Sequence, residues 1–165
     1  MASKKGIAIT IIILGAITGA SFLVWMVPQQ NETTFIVTDY ESYLDGAKNI
    51  HEVLAQSTEI EYQKLLDGEI TPEEYIESAD ITSTQVTAQI SEFVTSKPPE
   101  QWQESYINYM DAMKKFNLYV GETKVMANLI ENQASEQEIT ETTQKIEILK
   151  AESLELVKLS DQSRP

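Results

Sequence analysis

Residues 102–130, WQESYINYMDAMKKFNLYVGETKVMANLI, decide the fold of this 165-residue chain. Apolar and small side chains recur in alternating steps of four and three, at Trp102, Tyr106, Tyr109, Met113, Phe116, Val120, Thr123, Ala127 and Ile130. Such steps place residues on one face of an α-helix, in the heptad-like pattern of packed helices. The spacing therefore predicts a long helix, from about residue 99 to 132, at the centre of a helical core.

Capping signals predict three further helices. Thr38-Asp-Tyr-Glu41 and Ser135-Glu-Gln-Glu138 both have the capping-box pattern, in which a hydroxyl and a carboxylate satisfy the first free N–H groups. Thr71, followed by Pro72 and by Glu74 at the third helical position, is the clearest start in the chain. We therefore expect helices to begin near residues 38, 71 and 135.

Two breaks separate these helices. Gly68 suits the left-handed position after a helix, and Lys97-Pro98-Pro99 prevents the second helix from continuing. The expected core stripe of the first helix is Tyr40, Tyr43, Ala47, Ile50, Leu54, Ser57 and Glu61. The stripe of the second is Ile76, Ala79, Ser83, Val86, Ile90 and Phe93. The stripe of the fourth is Ile139, Thr142, Ile146, Leu149, Ser153 and Leu156.

Short connections between long helices favour antiparallel neighbours. The predicted fold is therefore all-α, with an antiparallel, up-down-up-down four-helix bundle over residues 38–160 and a polar tail over residues 161–165. A three-helix core with the second helix loosely attached is the alternative.

Residues 6–27, GIAITIIILGAITGASFLVWMV, contain no charged side chain and predict a transmembrane helix that serves as a signal anchor. At about 1.5 Å per residue the stretch would span roughly 33 Å, enough for a hydrocarbon core of about 30 Å. Lys4 and Lys5 precede it, so the positive-inside rule places residues 1–5 in the cytoplasm and the bundle outside. A linker, residues 28–37, would join the single-pass anchor in the plasma membrane to the bundle.

Two processing alternatives stay open for this segment. Thr18-Gly19-Ala20 could serve as a signal-peptidase site, although the apolar run continues beyond it. Lys4-Lys5-Gly6 before the apolar run resembles the class III signal of archaeal type IV pilins and archaellins. That resemblance implies cleavage after Gly6 and a pilin-like structural subunit that begins at Ile7.

Two shorter motifs lie in or near the anchor. Gly15 and Gly19 form a GxxxG pattern, which lets a second membrane helix approach closely. We expect helix pairing through this face, either with a second copy or with another subunit. Asn31-Glu-Thr33 is a glycosylation sequon, but it lies so close to the membrane that we expect it to stay unused.

Composition excludes several function classes. The net charge is −14, and residues 29–165 carry all 26 acidic side chains, so nucleic acid would be repelled. The chain has no cysteine, which excludes disulfides and thiolate chemistry. Acidic clusters fall in first helical turns, where they complement the helix dipole, and no Gly-rich phosphate loop is present. We expect no enzymatic activity.

Metal and haem sites depend on a single histidine, His51. Di-metal bundles use a Glu-x-x-His motif on each of two helices, whereas Lys48 lies three residues before His51. A haem would need His51 together with Met110, Met113 or Met126. Because His51 lies one position beside the stripe residue Ile50, we expect a solvated histidine on the rim and no cofactor or metal.

The aromatic series Trp102, Tyr106, Tyr109, Phe116 and Tyr119 is explained by a core role. In the alternative interpretation, Tyr119 and one pair of rings lie on an outer face and dock a partner. The segment PPEQWQESYINYMDAMKKF, with the Lys4-Lys5 anchor and the acidic helices, resembles single-pass helical-bundle proteins of ammonia-oxidising archaea. The resemblance implies an anchored bundle without active-site residues, and the membrane monooxygenase of those organisms is one candidate host.

The arrangement is also similar to the sensing half of chemoreceptors, which have a second membrane helix and a signalling region. Neither follows Pro165, so we expect no signal to be sent inward by this chain itself. The favoured prediction is a non-enzymatic, membrane-anchored accessory or interaction subunit of a membrane or cell-envelope complex. The alternative is a small-molecule or metal-binding module on the outer face of the membrane.

Overall fold

The computed structural model describes Val37 and residues 39–165. The predicted anchor, the two processing sites, the pairing face at Gly15 and Gly19, and Asn31 all lie outside the described residues. None of the helices in the described part of the chain is both long enough and apolar enough to cross a membrane.

Four helices pack together, which confirms the all-α fold. They are α1 (Tyr40–Leu66), α2 (Pro72–Thr95), α3 (Glu100–Glu131) and α4 (Glu136–Gln162). No strand is present among residues 39–165. The connections, residues 67–71, 96–99 and 132–135, are short, so consecutive helices run antiparallel.

The predicted helix starts are confirmed at α2 and α4 and shifted by one residue at α1. Thr71 and Ser135 each form a full capping box with the glutamate three residues later. At α1 the N-cap is Asp39 and not Thr38: its carboxylate accepts from the Ser42 backbone N–H at 3.0 Å and from the Ser42 hydroxyl at 2.7 Å. One carboxylate satisfies both donors here, which favours the later start.

Two helices end in the same way. Gly68, at φ 70°, follows α1, and the Glu69 N–H donates back to the Lys64 carbonyl at 2.8 Å. This is a Schellman motif, which satisfies carbonyls left free at a helix end. The same pattern of bonds ends α3, where the left-handed position is held by Gln133 at φ 50°.

The central helix is α3, as the opening stretch predicts. Its predicted stripe from Tyr106 to Ala127 is buried, with Trp102 and Ile130 partly buried at the ends. A second buried line lies beside the first, with its members seven residues apart: Ser105, Ala112, Tyr119 and Met126. With two buried faces, α3 packs against each of the other three helices.

The predicted stripe of α1 is wrong by about one residue. Ile50 is 55% exposed, and the buried side chains of α1 are Leu44, His51, Thr58, Tyr62 and Leu65. The predicted stripe of α2 is confirmed at Ala79, Val86 and Phe93, which are buried together with Tyr75 and Thr82, while Ile76 and Ile90 are partly buried. Apolar residues such as Ile50 and Val53 lie beside the buried line of α1, so hydropathy alone does not select the face of this helix that is buried.

Small side chains join α4 to α3. The Ser105 hydroxyl donates to the Ser160 carbonyl at 2.8 Å, and the Ser153 hydroxyl donates to the Ala112 carbonyl at 2.9 Å. We call these four residues the α3–α4 serine contact. Small residues let two helix backbones approach closely while the hydroxyls stay hydrogen-bonded. The predicted polar tail begins inside α4, which continues to Gln162.

The bundle is open along one side. No Cα atom of α1 lies within 8 Å of a Cα atom of α4, whereas α1 packs on α2 and on α3. The two helices are instead linked by side chains across a gap. This gap, the α1–α4 seam, is the feature of the fold that positions the candidate site.

Candidate functional site

Three ion pairs cross the α1–α4 seam in antiparallel register. Asp45 pairs with Arg164 at 2.6 Å, Lys48 pairs with Asp161, and Glu59 pairs with Lys150 at 2.7 Å. The paired residues of α1 are separated by three and then by eleven positions. Their partners, Arg164 just after α4 and Asp161 and Lys150 within it, are separated by the same numbers in the opposite direction. The last two pairs are therefore about 16 Å apart along the helix axis.

A cavity of about 290 Å³ lies between these two pairs. Its wall on α1 consists of Lys48, His51, Glu52, Ala55 and Glu59. Its wall on α4 consists of Lys150, Ser153, Leu154 and Val157. Its floor, formed by α3, consists of Tyr109, Phe116 and Tyr119. The ion-paired side chains lie at the two ends, and the middle of the seam is walled by Ala55, Leu154 and Val157 together with Glu52.

The floor is a continuous series of rings. The His51 and Phe116 centroids are 4.7 Å apart, and the Phe116 and Tyr119 rings are stacked at 5.7 Å. The His51 and Tyr109 rings meet edge to face at 5.8 Å. These separations fall within the range that aromatic pairs prefer, so the rings support one another in place.

His51 is buried, with 7% of its surface exposed, so the expectation of a solvated rim histidine is wrong. The side of α1 that faces α3 is one residue away from the predicted stripe, which brings the imidazole onto the aromatic floor. Its Nδ1 lies 3.1 Å from the Tyr109 hydroxyl. Burial lowers the pKa of His51 from 6.5 to about 4, so the ring is neutral at neutral pH.

Both floor tyrosines are held protonated. Burial raises the pKa of Tyr109, with a smaller contribution from the negative charge of Asp161. Burial also raises the pKa of Tyr119, and the nearby Glu59 adds to it. The Tyr119 hydroxyl donates to Glu59 Oε2 at 3.2 Å, and Lys150 Nζ donates to the same oxygen. One end of the cavity is thus closed by a three-residue network.

The structure does not bring the predicted haem ligands together at this site. Met113 is fully buried and Met110 partly buried, and neither lines the cavity that His51 lines. Among residues 39–165, no group of three or more His, Asp or Glu side chains is placed to hold a metal ion.

The aromatic series of α3 lies in the core and on the cavity floor. Tyr119, the candidate for an outward docking role, is only 3% exposed, so that alternative is wrong. Sequence reasoning also missed the cavity itself. Two sequence signals could have indicated it. One is the second buried line of α3, whose members are seven residues apart. The other is that charged residues of opposite sign occur at the same spacings along α1 and, in reverse order, towards the end of the chain.

Comparison with protein-family models, with curated proteins and with solved structures found no match to this chain. The functional inference therefore rests on the geometry of the seam cavity and on the sequence of the N-terminal segment. Of these two, only the cavity supplies positions for individual side chains.

Proposed function

We propose that this protein is a membrane-anchored module whose helical bundle binds a small apolar molecule in the α1–α4 seam. The observation that carries the proposal is the cavity of about 290 Å³ with a floor of aromatic rings. The seam is open along one side, and the space within it equals the liquid volume of about ten water molecules. Apolar clefts with a few polar groups are the usual form of small-molecule sites.

The N-terminal sequence supports a location at the outer face of the membrane. Residues 6–27 are uncharged and follow Lys4 and Lys5, the arrangement of a single-pass anchor with its N-terminus in the cytoplasm. The bundle, with its acidic surface, would then lie outside the plasma membrane. A cavity in this position is open to molecules in the extracytoplasmic space.

The proposed role is binding without catalysis. The carboxylates of Glu59 and Asp161 are each paired with a lysine across the seam. The pKa of His51, at about 4, is far from the neutral range in which a general acid or base works best. These groups are suited to orienting a neutral ligand.

Thermal unfolding of the full chain in lipid nanodiscs tests the proposal. A ligand that binds only the folded state raises the unfolding temperature, by an amount that grows with ligand concentration. We expect naphthalene derivatives to raise it for the native chain and not for Ala55→Phe, which places a ring in the cavity. Ala151→Phe, at an exposed position of α4, is the matched control and keeps the response. If no apolar compound raises the unfolding temperature of the native chain, the proposal is wrong.

A second candidate function, an interaction subunit of a membrane or cell-envelope complex, is favoured by the outer face of α1. Ile50, Val53 and Ile60 are 55%, 65% and 57% exposed and lie at helical spacing on one face. Crosslinking mass spectrometry on native membranes tests this role. Crosslinks from the neighbouring Lys48 and Lys64 to one partner, lost in Val53→Glu and kept in Ile81→Glu on α2, would support it. Recovery of the uncrosslinked chain alone would contradict it.

A further inference from the structure

We infer that the ligand of the seam cavity is a neutral, planar molecule of two fused aromatic rings that carries one hydrogen-bonding nitrogen or oxygen. The inference rests on the proposed function and deepens it, since it names the chemical class that the cavity takes. Four properties of the site lead to it: volume, shape of the floor, polar pair and charge.

The volume sets the number of rings. A cavity of about 150 Å³ lined by apolar side chains binds benzene. The seam cavity, at about 290 Å³, is close to twice that size and accommodates two fused rings. The ion pairs Lys48–Asp161 and Glu59–Lys150 close its ends and limit the length of the molecule.

The floor favours a flat aromatic molecule over a flexible chain. Phe116 and Tyr119 are stacked with an interplanar angle of 27°, and His51 lies 4.7 Å from Phe116 by ring centroids. Aromatic rings prefer offset-stacked or edge-to-face neighbours, and these contacts add to the benefit of burying apolar surface. A planar ligand between this floor and Leu154 would continue the series of rings.

The His51–Tyr109 pair supplies the polar contact. The bond between Nδ1 and the Tyr109 hydroxyl is the one hydrogen bond of each of these side chains within residues 39–165. The neutral imidazole has a second nitrogen, Nε2, which donates when Nδ1 accepts and accepts when Nδ1 donates. The imidazole can therefore pair either with a hydrogen-bond acceptor or with a hydrogen-bond donor of a ligand. Because Nε2 has no hydrogen-bond partner in the described part of the chain, a ligand group that pairs with it gains a hydrogen bond that an analogue without that group does not form.

The charges around the cavity favour a neutral ligand. Lys48 and Lys150 are balanced by Asp161 and Glu59, which leaves Glu52 as the lining charge without an ion pair in the described part of the chain. An anion would be repelled by Glu52, and any ion would lose its hydration among Ala55, Leu154 and Val157. A neutral molecule avoids both costs.

Calorimetric titration of the full chain in nanodiscs, with empty nanodiscs as the reference, tests the inference. The probes are 2-naphthol, naphthalene, naphthalene-2-carboxylate and dodecanol. We expect 2-naphthol to bind about three- to tenfold more tightly than naphthalene, the range that one net hydrogen bond provides. We expect the carboxylate to bind more weakly than naphthalene and dodecanol more weakly than 2-naphthol.

Two variants assign the preference to the polar pair. In His51→Phe the advantage of 2-naphthol over naphthalene should fall to about onefold, because Nε2 is removed. In Tyr109→Phe the advantage should fall only in part, because Nε2 remains while Nδ1 loses its hydrogen-bond partner. Tyr40→Phe is the matched control, since its hydroxyl donates to the Lys97 carbonyl away from the cavity. Circular dichroism of each variant establishes that it is folded.

The outcomes separate the two proposals. Tighter binding of dodecanol than of 2-naphthol would overturn the aromatic class and indicate an acyl chain, while the cavity would remain a binding site. Equal affinity for naphthalene and 2-naphthol, or a preference that survives both variants, would overturn the role of the His51–Tyr109 pair. Failure of every probe to bind the native chain would overturn the proposed function itself.

Discussion

At the scale of the residue, the position of His51 has the widest consequences. The ring is buried against Phe116 and is hydrogen-bonded to Tyr109, so its charged form is disfavoured in the folded protein. In the unfolded chain the same imidazole titrates near its ordinary pKa of 6.5. Because the pKa of His51 differs between the folded and the unfolded state, the free energy of unfolding depends on pH in the range between the two pKa values.

We expect the native chain to lose stability relative to His51→Gln as the pH falls from 6.5 to 4. In this range the unfolded state binds a proton that the folded state does not, so unfolding is favoured, whereas above pH 6.5 the effect vanishes. A difference of 2.5 between the ordinary and the lowered pKa corresponds to about 3 kcal/mol. Urea unfolding of both proteins at pH 7 and pH 4 measures it. A constant difference between the two proteins would contradict the burial of a neutral His51.

Gln89 is a second residue whose burial lowers the stability of the folded protein. Both polar atoms of its amide are buried and lack hydrogen-bond partners in the described part of the chain. Gln89 continues the spacing of the buried residues Val86 and Phe93 on α2, a position that suits an apolar side chain.

Gln89→Leu should therefore stabilise the protein by about 1–2 kcal/mol, because it removes an unsatisfied buried amide. Gln144→Leu, at an exposed position within α4, is the control and should change stability by less than about 0.5 kcal/mol. Chemical denaturation of the two variants gives the comparison. A loss of stability in Gln89→Leu would indicate that the amide has a partner outside the described residues.

At the scale of the element, the helix ends follow directly from local sequence. Thr71 and Ser135 form capping boxes with Glu74 and Glu138, and these bonds lower the pKa of both carboxylates. Each motif spans only four residues, so no distant contact is needed to form it. The buried face of α1 behaves differently, because the local sequence of α1 does not show which of its faces the neighbouring helices cover.

Alanine substitutions distinguish a glycine at a helix end from a glycine inside a helix. Gly68→Ala should destabilise the protein by about 1 kcal/mol, since φ is 70° there and a side chain disfavours that conformation. Gly46→Ala, inside α1 with open space around its Cβ, should stabilise by about 0.5–1 kcal/mol. Thermal unfolding of both variants tests the pair, and equal signs for the two changes would contradict the Schellman end of α1.

At the scale of the whole molecule, α3 holds the bundle together and the α1–α4 seam remains open. The α3–α4 serine contact brings the backbone of α4 close to that of α3. In contrast, α4 is joined to α1 by side chains alone and not by close backbone packing. The ion pairs across the seam are partly exposed, and pairs of this kind contribute less than about 1 kcal/mol each. The packing of α4 on α3, and not these pairs, therefore stabilises the arrangement.

Engineered cysteines test the open seam, and the absence of native cysteine makes the readout clean. Ser105→Cys/Ser160→Cys should form a disulfide in air, since the two hydroxyls lie 3.2 Å apart. Glu52→Cys/Val157→Cys, opposite each other in the register of the ion pairs, should stay reduced, because no Cα atoms of α1 and α4 are within 8 Å. Free-thiol titration distinguishes the outcomes, and oxidation of the second pair would indicate a closed bundle.

The sequence by itself determined the helices of this protein, their order and their ends. Caps and breakers such as Thr71, Pro98 and Gly68 act within a few residues, and the stripe of α3 is long enough to show its own face. Only the tertiary structure decided which face of α1 is buried, where His51 lies and that α1 and α4 stay apart. Those outcomes depend on how the rings and small residues of α3 are shared among three neighbouring helices, and no single helix contains that information.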